Sequence, residues 1–322
     1  MRNKIRIQLI PQTNINQHGA HCNFNCIWCH NDYFAFQTDR YRYDVSDQIS
    51  AIMEGISTIE PYYEQKLPVQ ISAAGEPTMI GLANLENLIR KLCQIGYHDI
   101  GLTTNGSKMV PKFIYRLKEA GLTSINFSVN SINPVTYAAI TGSSVKTLSK
   151  VLQHIDFSLH AGLETSVNCI YSSFNQFELR EILQYLAQKN NLTWKFFDLI
   201  GNSPYYQPIQ SLIQDLEDLD FQFTKMADSE YIHLITNVGR SRIKIKISRE
   251  ENSCPNVICK LRSECTEGCR ASIRISAMGI QPCGIKRENM IHRHQYDDFS
   301  FVKEQLMEGG KLERIYSTFE IL

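Results

Sequence analysis

Six short runs with strand character alternate with helical stretches between Lys4 and Leu199. No other feature limits the possible folds as much. A chain that alternates in this way builds parallel βαβ units, as an α/β barrel or as an open sheet. The strand runs are residues 4–10, 69–72, 100–103, 124–129, 165–170 and 194–199. The first, KIRIQLI, alternates apolar and polar residues as a half-buried strand does. Helices are expected over 44–58, 84–95, about 111–121, 145–161 and 177–188. Their ends are punctuated: Pro111 suits a first helical turn, and Gly96, Gly121 and Gly162 suit helix C-termini.

After Gly201 the pattern changes. Residues 201–210 are rich in Pro, Gln and Tyr and read as a linker. Two hairpins are then expected, 231–236 with 242–248 around Asn237-Val238-Gly239, and 271–276 with 280–283 around Ala277-Met278-Gly279. In the first, Ile243, Ile245 and Ile247 alternate with Lys244 and Lys246, which predicts one solvated face. The chain therefore divides into a larger α/β unit, residues 1–203, and a small cysteine-rich α+β unit, residues 204–322.

The chain of 322 residues is long enough to bury its own core. Its 33 basic and 33 acidic residues cancel, so charge gives no reason to expect a nucleic acid partner. No apolar run approaches the roughly 18 residues of a membrane span. The N-terminal MRNKIRIQLIPQ lacks the apolar core and cleavage site of a signal peptide. A cytoplasmic protein with no membrane contact is expected. In that compartment cysteines serve as metal ligands or small buried residues more often than as disulfides.

The ten cysteines are not scattered. Cys22, Cys26 and Cys29 lie together in HCNFNCIWCHN, directly after the first strand. Cys254, Cys259, Cys265, Cys269 and Cys283 form a second group, and only Cys93 and Cys169 stand alone. In a parallel barrel the loops after the strands carry the reactive groups. Three thiolates on such a loop fill three corners of a metal site. Zinc would need His21 or His30 to close its tetrahedron. A [4Fe–4S] cluster with three protein ligands keeps one iron open for another molecule.

With its neighbours, this stretch resembles the radical S-adenosylmethionine (SAM) superfamily. Cys-x3-Cys-x2-Cys has an aromatic residue, Trp28, before its last cysteine. Ala74-Gly75-Glu76-Pro77 follows the second strand and is similar to the superfamily's Gly-Gly-Glu-Pro motif. Leu102-Thr103-Thr104-Asn105-Gly106 follows the third, and Asn126-Phe127-Ser128-Val129-Asn130-Ser131 the fourth. The resemblance covers about residues 1–200 and implies a partial (β/α)6 TIM-like barrel followed by the small auxiliary domain. It implies that Cys22, Cys26 and Cys29 bind the cluster. Trp28, Ala74, Gly75, Glu76, Thr103, Thr104, Ser128 and Asn130 would then contact SAM. Reductive cleavage of SAM would give a 5′-deoxyadenosyl radical that abstracts hydrogen from the substrate.

Two further stretches are similar to the GTP 3′,8-cyclase group of molybdenum-cofactor enzymes. One is Phe196-Phe197-Asp198-Leu199-Ile200-Gly201-Asn202; the other is Cys265-x3-Cys269-x13-Cys283. The five C-terminal cysteines also resemble the twitch or SPASM modules, which implies one auxiliary [4Fe–4S] cluster, with a zinc knuckle as the alternative. His21 stands where that group has Arg, the spacing of Arg270 and Arg274 differs, and Gly309-Gly310 are followed by twelve residues. A relative with another substrate is expected: a small molecule, a nucleoside or nucleotide by resemblance, with an anionic part held by Arg270 or Arg274. An external electron donor such as flavodoxin or ferredoxin is implied. Maturation of a ribosomal peptide is the second reading, although a first strand at about residue 4 leaves no space ahead of it for a leader-binding domain. A non-catalytic iron–sulfur or zinc protein is the third.

Overall fold

The computed structural model of the chain describes residues 4–11, 17, 20–29, 43–199, 203–227, 231–248, 272–281 and 290–307. All six strand runs form: β1 (Ile5–Leu9), β2 (Val69–Ala73), β3 (Ile100–Thr104), β4 (Ser124–Ser128), β5 (Glu164–Ile170) and β6 (Asn190–Phe197). They lie side by side in chain order and all run parallel. The connecting helices are α1 (Val45–Ile59), α2 (Leu82–Gln94), α3 (Pro111–Ala120), α4 (Pro134–Thr141), α5 (Thr147–His160) and α6 (Leu179–Ala187).

The helix ends follow local chemistry. Asp44 caps α1 by accepting from the Ser46 backbone N–H. α3 starts at Pro111 and ends at Gly121, whose φ of 118° is open to glycine. A Cβ at Gly121 would also come 2.3 Å from the Cys93 sulfur. α4 is a helix that the periodicity does not announce, because PVTYAAIT is short and apolar on most sides. Its signals are at its ends: Asn133 accepts from Val135 N and Thr136 N, Pro134 opens the first turn, and Gly142 closes it.

The C-terminal part continues as α7 (Ile209–Glu217), β7 (Thr224–Ala227), β8 (Tyr231–Val238), β9 (Arg240–Ser248), β10 (Ile273–Ser276), β11 (Gly279–Gln281), β12 (Ile291–His292) and α8 (Phe299–Met307). α7 begins inside the stretch that reads as a linker. Both hairpins form, and both join the main sheet. β9 pairs parallel with β6, and β10 pairs parallel with β1. The order is β12-β11-β10-β1-β2-β3-β4-β5-β6-β9-β8-β7. Each hairpin thereby covers an edge of the parallel sheet that would otherwise expose unpaired backbone groups.

The sheet has one apolar and one polar face. Ile5, Ile7, Ile71, Leu102, Phe127, Trp194, Ile245 and Ile275 are buried on the first. Helices cover it: the Trp194 ring meets Tyr185 of α6 edge-on, and a Cβ at Gly55 of α1 would lie 2.8 Å from Ile275. The alternate residues, among them Arg6, Gln70, Asn126, Lys195, Lys244 and Arg274, share the opposite face. That face turns inward on itself. Lys195 on β6 feels the charge of Lys4, just ahead of β1. A flat sheet would hold those strands roughly 24 Å apart, so the sheet curls as a partial barrel. Lys244 and Lys246 are accordingly half-buried inside the curl. The solvated face expected for them is the lumen face, because β9 docks on β6.

Candidate active site

The cysteine loop, residues 20–29, sits above the C-terminal ends of the strands and is gripped from several sides. His21 bridges to Gly75: its N–H donates to Ala74 O at 3.2 Å, and its carbonyl accepts from Glu76 N at 3.0 Å. Asn25 N and Ile27 N donate to the terminal carbonyls of α4, Thr141 at 2.8 Å and Ile140 at 2.9 Å. Cys29 N returns to Cys26 O at 3.1 Å. Trp28 packs in an aromatic trio, 5.9 Å from the Phe174 ring and 6.1 Å from Tyr205, which are themselves 5.0 Å apart. Phe174 follows β5 and Tyr205 follows β6, so loops from the far end of the six-strand core meet the cysteine loop that follows β1.

Burial pushes the Cys22 thiol up to about 11 and Cys26 up to about 12, and neighbouring thiols add to both. Among the described residues no three His, Cys, Asp or Glu side chains converge as the ligands of one metal ion do.

The motif residues gather beneath this loop. Glu76 is 2% exposed. Its Oε1 accepts from Thr78 N at 3.0 Å, Thr78 Oγ1 at 2.6 Å and Thr104 Oγ1 at 2.6 Å, and its Oε2 accepts from Asn105 N at 2.7 Å. Burial raises its carboxyl above the usual range, and these hydrogen bonds oppose the shift. Its carboxylate thus clamps the loops after β2 and β3 together. Asn130 Oδ1 accepts from Ile170 N at 2.9 Å and so ties the ends of β4 and β5. Ser128 ends β4, half-buried, in register with Asn168. Thr103 lies on the lumen face, its hydroxyl 3.0 Å from the Gln70 amide.

Residues 16–186 match the Radical SAM superfamily. The chain belongs to that superfamily. This radical SAM enzyme draws on a [4Fe–4S] cluster and SAM, and the scaffold-only reading falls. The GTP 3′,8-cyclase of Staphylococcus saprophyticus is 30% identical over 244 residues, 68% of this chain and 69% of that protein. A probable GTP 3′,8-cyclase of Sulfolobus acidocaldarius is 30% identical over 175 residues; they cover 52% of this chain and 50% of that protein. The chain thus spans half the length of that relative. Among solved structures, Streptococcus suis SuiB bound to SAM aligns with a TM-score of 0.58 and 12% identity, covering 98% of this chain and 66% of that one. This shows likeness of fold.

Arg274, 5% exposed, sits on the face away from α1, beside Arg6 in the β1–β10 register. Arg270 and the cysteines 254, 259, 265, 269 and 283 lie outside the described residues. The sequence reading did not single out Asn105, Asn23, Lys195, Phe174 or Tyr205. Asn105 and Asn23 stood in quoted motifs and Lys195 in the sixth strand run; Phe174 and Tyr205 carry no signal apart from the strands they follow. No helix among the described residues is long and apolar enough to cross a membrane.

Proposed function

We propose that this radical SAM enzyme takes hydrogen from a small anionic substrate, a nucleotide by kinship, held in the polar lumen of the partial barrel. When bound, the cluster and SAM supply the 5′-deoxyadenosyl radical. The protein's part is to hold, orient and exclude water. Cys22, Cys26 and Cys29 are the ligands of the cluster. Trp28, Ala74, Gly75, Glu76, Thr103, Thr104, Ser128 and Asn130 form the walls around SAM, several of them by fixing the backbone that reaches it. The Trp28–Phe174–Tyr205 trio closes the side of this space against solvent.

The observation that carries the anionic reading is the basic lumen. Arg6 and Arg274 stand side by side on adjacent strands. Lys195 projects from the same face, near Lys244 and Arg242. Burial pushes Lys195 down to about 8, and Lys244 adds to that. Adjacent guanidiniums suit forked recognition of phosphate or carboxylate. The cyclase relatives act, by name, on a guanine nucleotide. Residues 204–322 would form the auxiliary unit, with one further [4Fe–4S] cluster on Cys254, Cys259, Cys265, Cys269 and Cys283, one of them spare. An external one-electron donor is required.

A peptide substrate is the second reading, supported by the fold likeness to SuiB, one of whose structures holds the precursor peptide SuiA. Calorimetric titration of the reconstituted enzyme with SAM separates the two. Nucleotides should bind more tightly than the matching nucleosides, and Arg274→Lys should weaken that binding about tenfold while leaving SAM affinity unchanged. Equal affinity for nucleoside and nucleotide would sink the anionic reading.

A further inference from the structure

We propose that Asn105 tunes the reduction potential of the N-terminal cluster by donating its side-chain N–H to the Cys22 sulfur. This rests on the reading that Cys22, Cys26 and Cys29 hold that cluster. Asn105 Nδ2 lies 3.8 Å from Cys22 Sγ, and Phe24 N donates to the same sulfur at 3.4 Å. These two donors reach one thiolate from separate segments, 83 and 2 residues away.

The direction of the Asn105 amide is decided by chemistry. Its Oδ1 accepts from Ser107 N at 2.9 Å, and a backbone N–H can only donate. Ser107 Oγ donates to the same oxygen at 2.7 Å. Nδ2 must therefore point the other way, where it meets Asn23 Oδ1 at 2.9 Å and the Cys22 sulfur. Asn23 Nδ2 in turn reaches Ser107 Oγ at 2.9 Å, which closes a ring of three side chains. The backbone below is fixed as well. Asn105 N donates to Glu76 Oε2, and His154 Nδ1 holds the Gly106 carbonyl at 2.7 Å. A carbonyl only accepts, so His154 carries its proton on Nδ1. Asn105 is buried and Cys22 half-buried.

Reduction adds one electron, taken from an external one-electron reductant, and spreads part of the added charge onto the thiolate sulfurs. No bond breaks and no proton moves. An N–H dipole aimed at a sulfur favours the more negative state and raises the potential. Asn23, Ser107, Glu76 and His154 contribute by keeping that dipole aimed.

The test uses the full chain, anaerobically reconstituted, and the cluster signal that changes when SAM is added. Asn105→Leu removes the donor, and Asn105→Asp keeps the shape but puts an acceptor beside the sulfur. Losing a hydrogen bond to a charged group changes the reduction constant roughly tenfold, which for one electron is a fall of about 59 mV. In an EPR-monitored titration Asn105→Leu should show that fall at unchanged iron content, and Asn105→Asp should fall further. A variant with wild-type iron and wild-type potential overturns the proposal. Should both variants lose iron, the wild-type protein decides. With asparagine labelled at the side-chain nitrogen, pulsed EPR of the reduced cluster should show coupling to the label, and absence of coupling overturns the proposal. A wild-type protein with no signal responsive to SAM would instead defeat the ligand assignment, and this proposal with it.

Discussion

Gly75 shows how a single residue can hold the site together. Its φ is +135°, and a Cβ there would lie 2.0 Å from the His21 carbonyl oxygen. A methyl group would have to push the cysteine loop off the loop after β2. Gly75→Ala should therefore load little iron while keeping wild-type far-UV circular dichroism, and full iron content would refute this. The thiols themselves give a pH prediction. Cys22 and Cys26 are raised from 9.0 to about 11 and about 12. Above pH 9 the unfolded chain releases these protons and the folded, cluster-free chain does not, so the thiols' contribution to stability falls as pH rises through this window. Each thiol contributes up to about 1.4 kcal/mol per pH unit. From about pH 8 to about pH 10.5 the denaturant midpoint of the wild type should fall relative to that of Cys26→Ala. Parallel pH curves would show that burial does not hold the thiol neutral.

Among the elements, α4 has the most consequence for its length. Its last carbonyls receive Asn25 N and Ile27 N, so this short helix is a shelf for the cysteine loop. Its start is secured twice. Asn133 caps it, and Glu178 accepts from Ser131 Oγ and Ile132 N, both at 2.8 Å. Asn133→Ala should lower stability by about 1 kcal/mol. Because the shelf loosens with the cap, it should also slow cluster reconstitution. A stability loss with unchanged reconstitution kinetics would separate α4 from the site. β9 and β10 matter at the same scale, since each adds a parallel strand to one edge of the core and brings basic side chains to the lumen.

At the scale of the whole molecule, the curl of the sheet gathers like charges from strands far apart in sequence. Lys195 Nζ donates to Asn126 Oδ1 at 2.8 Å, yet burial and Lys244, Lys4 and Arg242 disfavour its charge, with Glu164 opposing them. Its folded value of about 8 lies below 10.5. Between these values the unfolded chain keeps the proton that the folded chain has released, so the contribution of Lys195 to stability rises with pH across that window and opposes that of the thiols. Lys195→Met should remove the rise and weaken nucleotide binding, as read by thermal unfolding and calorimetry. A variant that keeps the wild-type pH slope would show that Lys195 is not the group responsible. The two iron sites separate at this scale too. The variant lacking Cys22, Cys26 and Cys29 should retain about four irons in the C-terminal unit. Zinc in their place would favour a knuckle.

The six strands, most of the helices and the cysteine loop after β1 could be read directly from the sequence, because each is written in a local period, a cap or a spacing. Pro111, Gly121 and the spacing of Cys22, Cys26 and Cys29 act within a few residues, where chain geometry leaves little choice. α4 escaped because eight mostly apolar residues show no amphipathic period, and its signals lie only at its two ends. What only the tertiary structure decided depends on long-range closure. The Ile/Lys alternation of β9 is the same whether Lys244 faces water or a lumen; docking on β6 chose the lumen. Arg274 became a neighbour of Arg6 because β10 took the open edge of β1. Asn105 met Cys22 because the loops after β1, β2 and β3 rise from adjacent parallel strands, where Glu76 pins them together. A strand's choice of edge and a loop's meeting with another are set by the sheet's order and curvature, which no local stretch of sequence records.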